Sequence, residues 1–280
     1  MFEKKLNNLI VLNDSEMPYP RVCAHRGYPE IVPENSLPSY ALAIALGAEE
    51  IEFDLWASKD KVLVTTHDAT LDRTSNGKGF IWEHTLEELK SFDFGVDHSE
   101  YGEYGDKFKG LKIATFEEIL INFGRRVIMN IHVKLWDKHA DDWASQVDYD
   151  YMDEIVEMIR KYNCEEHVYF MTNNDDKLKK VKKLYPEFHV CVGNDRSRPW
   201  EIVNRAIEIG AEKVQLFVPY YDQEMIDKAH DHGIVCNIFC CDRLCDAERF
   251  LNMKVDCLLT NRYNLMAQFV KEYQSKKAVK

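Results

Sequence analysis

The chain has 280 residues, 45% of them hydrophobic and 12% aromatic, enough for a large core. Its formal net charge of −12 makes it a poor candidate for nucleic acid or for anionic membrane surfaces. No run of the sequence reaches the roughly eighteen apolar residues of a membrane-spanning helix, so no integral span is expected.

Residues 1–20 read as an N-terminal extension. Lys4 and Lys5 precede the apolar run Leu9-Ile10-Val11-Leu12, which is too short for a secretory signal, and Asn13-Asp14 ends it. The reading is a cytoplasmic start, followed by a single domain over 21–275. Residues 21–25 form the first strand candidate and 37–46 the first amphipathic helix. A second strand at 49–55 is joined to 62–66 by a linker too short for a parallel crossover, so 62–66 should return antiparallel as a hairpin. Residues 69–112 break the pattern. They are rich in glycine and aromatic residues, with one short helix at 86–91, and read as a small inserted subdomain over the rim. Its aromatics either line a pocket or form a satellite core. Further strands are expected at 126–133, 167–171, 188–192, 213–217, 234–239 and 256–259. A polar stretch at 137–150 follows the first of these, on the rim side. Helical periodicity fills 150–162, 178–185, 200–209, 223–232 and 245–251. Gly210 and Gly233 fall where a helix should stop before the next strand. Strands alternating with helices in this way read as an α/β fold with a parallel sheet of eight principal strands.

Eight cysteines sit mostly inside apolar runs and are expected to be reduced structural thiols. Cys240, Cys241 and Cys245 lack zinc-ligand spacing.

The chemistry-bearing residues cluster early. Ala24-His25-Arg26-Gly27 is followed by Pro33-Glu34-Asn35-Ser36, Glu52-Phe53-Asp54, His67-Asp68 and Leu71-Asp72-Arg73-Thr74. Glu52 and Asp54 are two apart, so a strand aims both to one side. Two carboxylates at one point repel unless a cation lies between them. His25 and His67 flank that point and suit proton transfer near neutral pH, and Arg26 suits an anion. These parts fit metal-assisted hydrolysis of a phosphate ester. Asn35 or Ser36 is expected to cap the first helix, with Asp68 and Arg73 supporting the site from behind.

In their order and spacing, the HRG, PEN, ExD and HD-x-x-LDRT motifs resemble the glycerophosphodiester phosphodiesterase family. The resemblance is densest over 22–79 and runs on to Leu259-Thr260-Asn261-Arg262. It implies a closed (β/α)8 TIM-type barrel with its site on the C-terminal rim. It implies hydrolysis of a small-molecule glycerophosphodiester to glycerol 3-phosphate and an alcohol. His25 and His67 would be catalytic, and Arg26 and Lys134 would hold the phosphate. One divalent metal ion, Mg, Ca or Mn, would sit on Glu52, Asp54 and the residue at position 132. The family has glutamate at that place, and this chain has His132, a softer ligand that favours Mn, Zn or Co. Met171-Thr172-Asn173 and Phe239-Cys240 also depart from the family pattern, which alters the wall expected to grip glycerol. Two other readings are a lysophospholipase D-like barrel enzyme and a non-catalytic phosphodiester-binding barrel.

Overall fold

In the computed structural model, residues 13–96, 104–137 and 150–278 are described. Nine strands form one sheet: β1 (Arg21–His25), β2 (Glu50–Ala57), β3 (Leu63–Thr65), β4 (Ile128–Val133), β5 (Val168–Thr172), β6 (His189–Val192), β7 (Lys213–Phe217), β8 (Val235–Phe239) and β9 (Cys257–Thr260). All but β3 run parallel, and β1 pairs with both β2 and β9, which closes an eight-stranded barrel. β3 returns antiparallel along β2, with Leu55 opposite Thr65, as the short linker requires. The fold is the expected (β/α)8 barrel, and each expected strand lies within two residues of its place.

Two helices fall outside the expected set, Phe116–Phe123 and Tyr263–Ala278. The first starts with a legible signal. Thr115 accepts from the Glu118 amide at 3.1 Å, and Glu118 returns the bond to the Thr115 amide at 2.8 Å.

Ile51, Phe53 and Leu55 of β2 face outward and are fully buried against the helices, in the main core. The inward positions of the barrel are strongly polar. At its lower end Arg21 bonds Asp14 at 2.6 Å and Glu50 at 3.2 Å, while Lys213 reaches Asp14 at 3.0 Å. Tyr169 donates to Glu50 at 2.6 Å. Residues 13–20 thus sit against the barrel floor through Asp14 and Met17. Breaking a buried charge pair leaves the partner unpaired in low dielectric. Arg21→Met is therefore expected to lower the unfolding free energy by about 3 kcal/mol, read by denaturant titration, and a loss below about 1 kcal/mol would refute a stabilising role for the cluster.

In the insertion, the helix Leu86–Ser91 stands where it was expected. The aromatics Phe80, Trp82, Phe92 and Phe94 pack with Trp56, Val64, Leu71, Ile81, Leu89 and Ile113 into a second core separate from the main one. They form the satellite core and do not line the main cleft. Residues 1–12 of the N-terminal extension, 97–103 of the insertion and 138–149 of the polar stretch lie outside the described residues. None of the helices among the described residues is long and apolar enough to cross a membrane. All eight cysteines are free, and six of them are buried.

Candidate active site on the barrel rim

An open cleft of about 580 Å³ occupies the rim end of the barrel. His25, Arg26, Glu52, Asp54, His67, His132 and Lys134 all line it. The seven residues singled out from sequence therefore meet in one place.

Glu52 and Asp54 point inward from β2, both almost wholly buried. The β2–β4 register sets Asp54 opposite His132, whose Nδ1 lies 3.4 Å from Asp54 Oδ1 and 4.0 Å from Glu52 Oε1. One ligand atom from each of the three residues fits within a mutual 4.8 Å. Lys134 Nζ stands 3.2 Å from Asp54 Oδ1, an oxygen that is buried and meets no hydrogen-bond geometry among the described residues. Burial and the nearby Asp54 push Glu52 up to about 8. Against the cost of burial, Lys134, His67, His132 and Arg26 hold Asp54 well below the usual carboxylate range. Burial alone would lower His132, yet Asp137 and Asp54 carry it up to about 9. These shifts express one demand, for positive charge between two buried acids. The donor set of two carboxylates and an imidazole fits a divalent ion.

Sequence reading missed Asp137. Its Oδ2 lies 2.7 Å from His132 Nε2, and its Oδ1 accepts from Thr172 at 2.7 Å and from the Asn173 amide at 3.1 Å. A carboxylate on one imidazole nitrogen fixes the ring, here so that His132 Nδ1 faces Glu52 and Asp54. A polar residue in the loop just after β4 gave no periodic signal for this role.

His25 ends β1 with its ring buried beside Phe239, at a centroid separation of 4.5 Å. Its Nδ1 is 2.6 Å from Asn261 Oδ1. Asn261 Nδ2 donates to Asp242 at 2.8 Å, and a carboxylate only accepts, so the amide oxygen must face the histidine. His25 Nδ1 then carries the hydrogen, leaving the Nε2 lone pair directed at the acids, 3.7 Å from Glu52. Burial and the adjacent Arg26 hold His25 well below its ordinary value of 6.5. Asn261 and Asp242 were also missed as a pair, since they come from separate loops.

His67 arrives on the return of the hairpin, half-buried, with Nδ1 2.7 Å from Asp68 Oδ1. Burial and Lys134 lower it, while Asp54 and Asp68 oppose the shift. Asp68 pairs with Arg73 at 2.6 Å, and Arg73 with Glu34 at 2.7 Å. Glu34 pairs with Arg26 at 3.0 Å, and Arg26 approaches Asp54 at 3.4 Å. The PEN turn thus ties the His67 side to the His25 side through alternating charges. Asn35 has left-handed φ (+52°) and donates to Asp54 Oδ2 at 2.9 Å. Ser36, not Asn35, caps the first helix, accepting from the Ser39 amide at 3.3 Å. Gly27 takes φ +88°, and a Cβ there would collide with Ser39, so the turn after His25 requires glycine.

A profile described as the glycerophosphoryl diester phosphodiesterase family matches residues 25–265. The glycerophosphodiester phosphodiesterase of Caldanaerobacter subterraneus subsp. tengcongensis is 32% identical over 257 residues, covering 90% of this chain and 98% of the relative. That of Bacillus subtilis is 29% identical over 264 residues, covering 89% and 86%. Among solved structures, an Oleispira antarctica phosphodiesterase in complex with the product sn-glycerol-3-phosphate has the same fold. Its TM-score is 0.75 at 21% identity, with 90% of this chain and 97% of that chain covered.

Proposed function

The chain belongs to the glycerophosphoryl diester phosphodiesterase family and is a phosphoric diester hydrolase, and from that premise we propose how its own residues do the work. The substrate is a glycerophosphodiester, cleaved to glycerol 3-phosphate and an alcohol. The carrying observation is the meeting of His25 and His67 with Glu52, Asp54 and His132 in one cleft. Glu52, Asp54 and His132 would hold a divalent ion, which would supply a Lewis acid to neutralise charge growing on the phosphoryl oxygens.

Arg26 and Lys134 orient the phosphate. Both are held by Asp54 and so stand fixed at the acids' edge. His25 is the proton acceptor for the nucleophile, water or the neighbouring glycerol hydroxyl, whose oxygen bonds to phosphorus as the P–O bond to the alcohol breaks. Its neutral form is favoured, its Nδ1 hydrogen is committed to Asn261, and its Nε2 lone pair faces the cleft. His67 is the better holder of a proton, because Asp68 stabilises its imidazolium from behind. It donates from Nε2 to the leaving alkoxide. Each such transfer contributes about 10²–10⁴-fold. Turnover of a soluble glycerophosphodiester tests this reading, and a folded, metal-loaded protein that cleaves none would overturn it. A lysolipid assayed beside it separates the lysophospholipase D-like alternative.

His132 gives the metal preference a direction. Its imidazole shifts the ranking from Ca and Mg towards Mn, Zn or Co. His132→Glu is expected to reverse that ranking in direct metal-binding titrations. Equal rankings in the two proteins would show that His132 is not a ligand.

A further inference from the structure

Two to four strands round the barrel from β2, the cleft has a second wall that the phosphate chemistry leaves unused. It is built from the ends of β5, β6 and β7. Gly193, just past β6, presents no side chain, and a Cβ there would press on the Thr172 backbone at 2.9 Å. Beside this opening lies Gln215, inward on β7 and only 4% exposed. Neither its amide nitrogen nor its amide oxygen has a hydrogen-bond partner among the described residues. A buried carboxamide without such a partner, on the wall of an open cleft, is left with donor and acceptor for a ligand.

The charges nearby point to the ligand's sign. Arg198 is taken by Asp195 at 2.9 Å and Asp175 at 2.6 Å. Buried Arg205 is taken by Asp175 at 2.5 Å, and it also donates to the Gly193 carbonyl at 3.0 Å and the Asn173 carbonyl at 2.9 Å. Arg205 therefore pins both strand ends and keeps the wall rigid. Arg196 lines the cleft, is exposed, and has no ion pair among the described residues. The described acids of the cleft, Glu52, Asp54, Asp68 and Asp137, each face His132, Lys134 or Arg73, so among the described residues none is left to attract a cationic alcohol.

We propose that this wall is the subsite for the alcohol half of the diester and that it selects an alcohol bearing an anionic group, a carboxylate or a phosphate. Arg196 pairs with the anion, and the Gln215 amide bonds the polar atoms between anion and ester. The proposal rests on the hydrolytic reading above for its substrate, yet it can be tested apart from it. The probes are sn-glycero-3-phosphoserine and sn-glycero-3-phosphocholine. The measurements are kcat/KM and calorimetric binding for wild type and Arg196→Gln, with circular dichroism to verify folding. Wild type is expected to favour the serine diester about tenfold, and Arg196→Gln to bring the ratio within about threefold, as loss of a charge-assisted hydrogen bond predicts. A ratio near one, a choline preference, or a serine preference that survives Arg196→Gln would overturn the subsite. If neither diester is cleaved, the hydrolytic reading fails, and the calorimetric ratio still decides the subsite by the same criteria.

Discussion

Replacing His25 or His67 with alanine is expected to lower turnover of a glycerophosphodiester by about 10²–10⁴-fold while the barrel stays folded. The two rings reach the acids from different elements, His25 from the end of β1 and His67 from the strand that doubles back along β2. Each has one nitrogen committed to a fixed partner, Asn261 or Asp68. The other nitrogen of each is left for substrate. Neither ring is central to the apolar core, so truncation removes chemistry more than packing. Rates and circular dichroism for both variants check this. Because His67 is lowered from 6.5 and His25 is held well below it, the wild-type rate should rise as pH falls through 6.5, as the donor His67 gains its proton, and decline only at lower pH, as His25 Nε2 takes one up. Folded variants with near wild-type rates would remove the acid–base assignment.

Stripping divalent metal with a chelator is expected to bring turnover close to zero, with activity restored by adding back a divalent ion. Glu52 and Asp54 are each 1% exposed. Two like charges so placed are costly unless a cation lies between them. His132, Lys134 and Arg26 supply part of that charge, yet Asp54 Oδ1 still meets no hydrogen-bond geometry among the described residues and Glu52 is still pushed up to about 8. Ion binding should also raise the melting temperature, since an ion that binds only the native site stabilises it by mass action. Undiminished turnover in rigorously metal-free protein would sink the metal assignment. Glu52→Gln and Asp54→Asn should each weaken binding of the ion in direct titrations.

The parts of this site that obey a period were legible in the sequence. Glu52 and Asp54 are two apart on β2, and a strand turns that spacing into a shared direction, while Lys134, two after His132, opens the turn past β4 and still reaches Asp54. The short linker after β2 forced the hairpin, and the hairpin carried His67 to the rim. What escaped was set by loops, where no period exists. Asp137, Asn261 and Asp242 lie in segments whose backbone course follows from tertiary contacts. Asn35 looked like a helix cap because Ser36 is its neighbour, and only its left-handed backbone turns it towards Asp54. The insertion's aromatics were ambiguous, because composition does not tell which way a ring points. The charged barrel floor escaped for a related reason. Arg21, Glu50 and Lys213 alternate with apolar residues, which tells that they share a face but not that the face is interior.

The satellite core around Trp56, Leu71 and Ile81 is separate from the barrel's own, and it lies directly behind His67, whose carbonyl accepts from Trp56 Nε1 at 3.3 Å. His25 is anchored in the barrel itself. The two rings assigned to proton transfer are therefore backed by different packing units, which meet at Leu135, and opening of the smaller is expected to cost less than global unfolding. Their alignment is only as durable as the smaller unit. The Arg26–Glu34–Arg73–Asp68 chain latches the two across the rim. Partial unfolding of the insertion would release that latch and silence the enzyme while amide protons in the eight-stranded ring remained protected from exchange.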